Sequence, residues 1–110
     1  MVTEVEAQKS IDYIRDHAPI YADAKAKRTY IENYLKVVKA QAMANSDKKT
    51  LGDREIDAYM SEEYLLQLTA MRDAVATEEE IKYRIEAAKL RFEHYKIECF
   101  NNRVEARAMS

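Results

Sequence analysis

Apolar residues recur along this chain at steps of three and four, the mark of helices with one buried face, and they rarely alternate as a strand requires. From Asp53 to Ser110 the sequence holds neither glycine nor proline. Gly52 and Pro19 are its only residues of those kinds, so most tight turns and hairpins are excluded and the chain reads as all-helical.

Thr3 ahead of Glu4 and Glu6 predicts a cap and an acidic first turn. They open a short N-terminal helix whose stripe is Val5, Ala7, Ile11 and Ile14, with Tyr13 alongside. Pro19 predicts its boundary or a sharp kink, because proline lacks an N–H and disfavours a helical residue before it. A second helix, from Ile20 to about Asn45, carries Ile20, Ala24, Ile31, Leu35, Val38 and Ala42. The polar run from Asn45 to Lys49 predicts the main reversal, after which Thr50 or Asp53, and then Ser61 before Glu62 and Glu63, offer caps.

The last segment repeats Tyr64, Leu68, Met71 and Val75, and then Ile81, Ile85, Ala88, Phe92, Tyr95 and Cys99, in a heptad-like pattern. Between Val75 and Ile81 the step falls one residue short of a heptad, which displaces the two stripes around the helix. Thr77 and Glu80 there match a capping box. The expectation is a continuous helix that hands its apolar face from one neighbour to another. Such a helix over residues 62–107 is about 70 Å long, twice the roughly 35 Å diameter of a compact chain of this size. The expected fold is therefore an elongated antiparallel helical hairpin or coiled coil, one domain over residues 1–110. A short N-terminal helix and a long C-terminal helix complete it, and the latter joins two copies as a homodimer. Tyr64, Leu68, Ile85, Ala88, Phe92 and Tyr95 are the candidate face for self-association or for a protein partner.

Charge adds an asymmetry that the net value of -2 conceals. Residues 19–49 carry seven Lys or Arg against three acids, residues 50–80 carry two against nine, and residues 81–110 carry seven against four. An acidic middle thus lies between two basic arms, as solvated charges pairing along and between helices would give. Lys25, Lys27, Arg28, Lys36 and Lys39, with Tyr30 and Tyr34 interleaved, are the candidate nucleic-acid contacts. At helical spacing they do not make one unbroken stripe, so nucleic acid is not the favoured partner.

Candidate chemistry is sparse. One glycine cannot build a phosphate-cradling loop. Of the two histidines, His94 has Arg91 where a di-metal helix motif needs Glu; His94, Glu98 and Cys99 would make at most half of a zinc site between two chains. No catalytic, cofactor or metal residue is assigned. The lone Cys99 excludes an intramolecular disulfide and suits a reducing compartment. No signal-peptide pattern and no apolar run of about 20 residues stands in the sequence, which points to the cytoplasm and to no membrane partner.

Arg28 to Ala44, Asp53 to Leu68 and Ile85 to Arg103 together resemble small helical accessory proteins of tailed bacteriophages and prophages. Arg54, Glu55, Ala58, Tyr59 and Tyr64 carry the resemblance in the middle segment, and Glu86, Ala87, Ala88, Arg91, Asn102 and Arg103 carry it in the last. Phe92 and Tyr95 stand where such relatives often have Trp. The resemblance implies a protein outside the virion, in the host bacterial cytoplasm, often encoded beside recombination or replication genes. The expected function is that of a non-enzymatic adaptor presenting the acidic Asp53 to Glu80 region or an aromatic face to another protein. Direct DNA binding, with Lys89, Lys96, Arg103 and Arg107 joining the helix-two cations, is the alternative. Inhibition of a host DNA-processing enzyme by the acidic patch is a further one.

Overall fold

The computed structural model describes residues 1–109. Among them the chain is all-α, with α1 over Glu4–Ala44, α2 over Leu51–Tyr59 and α3 over Glu62–Met109. The described residues divide into two compact units. Unit 1 comprises residues 1–22 and the chain from residue 80 onward, and unit 2 comprises residues 23–79.

Each helix start is satisfied locally. The Thr3 hydroxyl accepts the Glu6 N–H at 3.1 Å while the Glu6 carboxylate accepts the Thr3 N–H at 3.2 Å, a reciprocal capping box. Thr50 caps α2 by accepting the Asp53 N–H at 3.2 Å, and Ser61 accepts the Tyr64 N–H at 3.3 Å as α3 begins. Between α1 and α2 the reversal expected at Asn45 is tied down by polar contacts. Ser46 Oγ donates to Asp57 at 2.7 Å, and Arg54 Nε donates to the Lys48 carbonyl at 2.7 Å.

The separate short N-terminal helix expected from Pro19 is instead the first half of α1, which runs unbroken through the proline. Pro19 removes one backbone hydrogen bond, but it and Arg15, whose carbonyl loses its donor, both lie on the exposed side, where water replaces the lost partner. The short helix of the chain is α2. Continuity through Thr77 is as expected, since its hydroxyl donates back to the Asp73 carbonyl at 3.0 Å rather than capping a new helix.

The inward positions differ from the apolar stripes read in the sequence. In unit 1, α1 turns Ala7, Ser10, Ile14, His17 and Tyr21 inward, while Val5, Ile11 and Ile20 are exposed. The facing positions of α3 are Ile81, Ile85, Ala88, Phe92, Tyr95 and Cys99. In unit 2, Ala24, Arg28, Ile31, Leu35, Val38 and Ala42 of α1 face inward, as do Tyr64, Gln67, Met71, Ala74 and Glu78 of α3. Within each unit these numbers advance by three and four. Glu78 fills the place at which an apolar count had skipped a residue, and Leu68, counted as seam, is exposed.

In both units the segments of α1 and α3 run antiparallel. Within unit 1, the Val2 N–H donates to Glu98 at 3.2 Å, whereas Tyr21 shares a groove with Lys82. Within unit 2, Arg28 binds Glu78, whereas Lys39 lies 4.7 Å above the Tyr59 ring. Buried apolar side chains are few and mostly small: Ala7, Ile85 and Ala88 in unit 1, and Ala24, Val38 and Ala58 in unit 2. Alanine lets helices approach closely but removes little apolar area from water, so these cores stabilise weakly.

Arg28 and Glu78 are the charged pair in the unit 2 seam. Glu78 is only 6% exposed and is bound by Arg28 Nε, with Nη2 at 3.4 Å from its second oxygen; Arg28 Nη1 also reaches Glu32 at 2.8 Å. The hydrogen bond to Glu78 is the main cause raising the Arg28 pKa, so the guanidinium stays cationic.

Two stability outcomes are expected. Pro19→Ala restores the missing hydrogen bond at an exposed site and raises the unfolding free energy by about 1–3 kcal/mol in urea melts; a neutral or destabilising result would show that water at this site replaces the lost bond in full. Glu78→Ala strands Arg28 and lowers Tm by more than about 5 °C, whereas the double change Arg28→Met with Glu78→Leu recovers most of the loss. Equal losses in the single and double variants would show that the charges, not their separation, matter.

Candidate protein-interaction site

The six residues expected to form a partner or self-association face are mostly occupied inside the chain. Ile85 and Ala88 are buried within unit 1, and Phe92 and Tyr95 are half-buried there beside the α1 segment. Cys99 interacts with Tyr95 and raises its hydroxyl pKa, chiefly by hydrogen bonding. In unit 2, Tyr64 is half-buried and packs edge-on to Tyr59, with ring centroids 5.3 Å apart. Leu68 alone remains exposed. This face therefore belongs to the intrachain seam, because α1 supplies the apolar partner that the heptad pattern demanded.

The five candidate nucleic-acid contacts are also dispersed. Lys27 pairs with Asp23 at 3.1 Å, and Arg28 is held in the seam. Lys39 is half-buried, 3.7 Å from Glu55 and over Tyr59; hydrogen bonding to Tyr59 is the main cause raising its pKa. Lys25 and Lys36 are exposed. Tyr30 and Tyr34 stack on each other at 6.1 Å rather than standing as separate base platforms. His94 pairs with Glu98 at 2.8 Å while Cys99 engages Tyr95, and among the described residues no three metal-ligating side chains cluster. Also among them, no helix is long and apolar enough to cross a membrane.

What unit 2 does present is an apolar surface around the α2–α3 corner. Ser61 closes that corner by donating to the Ala58 carbonyl at 2.7 Å, after α2 has turned Ala58 inward. On the other side, Ile56 and Met60 lie one turn apart, 57% and 74% exposed. Met60 then lines a groove of about 380 Å3 with Glu62, Leu65, Leu66 and Thr69. Leu65 and Leu66 are exposed because the seam takes Tyr64 and Gln67 on either side of them. The Leu65–Leu66 pair was the signal available in the sequence, since a helix that buries one face between Tyr64 and Gln67 leaves both leucines outside it.

Elsewhere in unit 2 an open groove of about 580 Å3 runs between α1 and α3. Ala24, Ile31, Ala74 and Thr77 line it, with exposed Tyr30 at its edge. Each groove sets one threonine and one carboxylate among mainly apolar side chains, Thr77 with Asp73 in this one and Thr69 with Glu62 at the corner. No family model, curated protein or solved structure matches this chain.

Replacing the exposed Lys25 and Lys36 by Ala changes unfolding free energy by less than about 0.5 kcal/mol in urea melts, because neither supports the seam. A larger loss would place these lysines among the structural pairs.

Proposed function

We propose that the chain is a non-enzymatic adaptor, a coiled coil working as a homodimer in the cytoplasm, that binds another protein through the corner of α2 and α3. The supporting observation is the joint exposure of Ile56, Met60, Leu65 and Leu66 beside Glu62. Solvent-facing apolar groups add nothing to the intrachain core, and clustered beside charge they have the make-up of a binding patch. The partner's complementary surface would carry apolar side chains rimmed by Lys or Arg, matching Glu62 and the acidic middle of the sequence. A setting in phage DNA recombination or replication is supported by the resemblance of the three sequence segments.

Direct nucleic-acid binding is the second reading. It is favoured by Lys82, Lys89, Lys96 and Arg103, which recur every seventh residue along α3 and so share one side of that helix.

Affinity capture from phage-infected or prophage-induced lysate, with and without nuclease, separates the two. The adaptor retains a stoichiometric protein after nuclease and loses it when Met60→Asp and Leu65→Asp are combined, with helicity unchanged. Loss of all bound material on nuclease treatment would favour the lysine-bearing side of α3, and capture unaffected by the double change would remove the corner as the binding site.

A further inference from the structure

Within unit 1, α3 is apolar on two opposite sides. One side is the seam with α1. On the other stand Tyr83, Leu90, Ile97 and Val104, at seven-residue steps and 62%, 70%, 56% and 47% exposed. Ala87, His94 and Asn101 fall between them at alternating steps of four and three, completing a second heptad seam whose residues are all exposed, with Ala87 at its edge sharing a groove with Lys9 and Tyr13 of α1. Arg84, Arg91, Glu98 and Glu105 border it on one flank, and Glu86, Glu93 and Phe100 on the other.

We infer that this outer seam is the homodimer interface and that the two α3 helices meet in it antiparallel. The inference rests on the homodimer proposed above and names its surface and direction. Antiparallel pairing about an axis between Tyr95 and Lys96 opposes Ala87 to Val104 of the second copy, Leu90 to Asn101 and His94 to Ile97. Each layer then sets a large apolar side chain against a smaller or polar one, as interdigitation requires. The same register brings Arg84 to Glu105 and Arg91 to Glu98 of the second copy, and two-fold symmetry repeats both pairs. Parallel pairing offers Glu86 to Arg91 of the second copy but confronts Glu93 with Glu98 and stacks His94 on His94, whereas antiparallel pairing sets no like charges on that flank, so the balance of charge favours the antiparallel arrangement. His94 and Val2 already engage Glu98, which orders its carboxylate at that flank.

A standard interface takes about 800 Å2 from each partner, and Tyr83, Leu90, Ile97 and Val104 supply exposed apolar area over three heptads of α3 toward it.

Sedimentation equilibrium of the full chain and of the double variant Leu90→Glu with Ile97→Glu tests the surface. Both side chains lie outside the α1 seam, so helicity should hold at about 25 °C while the dissociation constant rises by at least about 100-fold and Tm falls only by the stabilisation that dimerisation supplied. Direction is read in a Cys99→Ala background by air oxidation of Ala87→Cys and Val104→Cys chains. A mixture should cross-link across the two positions, while either chain alone should not. Wild-type chain that stays monomeric at about 100 μM overturns the homodimer itself. A dimer indifferent to the double variant overturns this interface alone, and efficient Ala87→Cys self-cross-linking overturns the antiparallel direction.

Discussion

A guanidinium and a carboxylate inside the unit 2 seam, Arg28 and Glu78, decide which residues of α1 and α3 face each other. The surrounding core is too small to do so by shape, since alanines at Ala24 and Ala74 would tolerate a sliding neighbour far better than interlocked leucines. A one-turn slip would leave the Glu78 charge in an apolar setting without its donor. Once that register is set, Lys39 falls over Tyr59 and Tyr59 meets Tyr64, so the α2 corner follows from the same constraint. The ion pair thus contributes uniqueness more than strength.

Much of the architecture is legible in the sequence. Thr3, Thr50 and Ser61 cap as their side chains predict, the polar run at Asn45 makes the reversal, and the breaker-free stretch after Ser61 is one helix. What escaped was the identity of the inward positions. An apolar count passes over Ser10, His17, Arg28, Gln67 and Glu78, all of which point inward because the heptad geometry and local polar contacts place them there. Ser10 donates to the Glu6 carbonyl at 3.0 Å, and His17 Nδ1 donates to the Tyr13 carbonyl at 2.9 Å while its ring stacks on Tyr13. Pro19 misled for a related reason. Its rule is local, whereas the exposure of its surroundings decided the outcome.

The candidate site was legible only in outline. An acidic middle segment with apolar residues was apparent, but the choice of exposed face depended on which residues α1 had already claimed. Leu65 and Leu66 are surface groups because Tyr64 and Gln67 are not, and the α3 residues first assigned to a partner are those that α1 covers. For a helix with apolar groups on more than one side, composition identifies a capacity to bind, and the intrachain packing determines where it is left over.

The uninterrupted three-and-four spacing also limits how this chain could change in length. A block of seven residues inserted into α1 within unit 2 would preserve the inward face of that helix but move Arg28 and Lys39 apart by about 10 Å. Their partners Glu78 and Tyr59 would then be out of reach together. An equal block in the facing part of α3 would restore both contacts. Size variation is consequently quantised and correlated: tolerated insertions or deletions come as matched heptads, one on each side of the Asn45 to Thr50 connection.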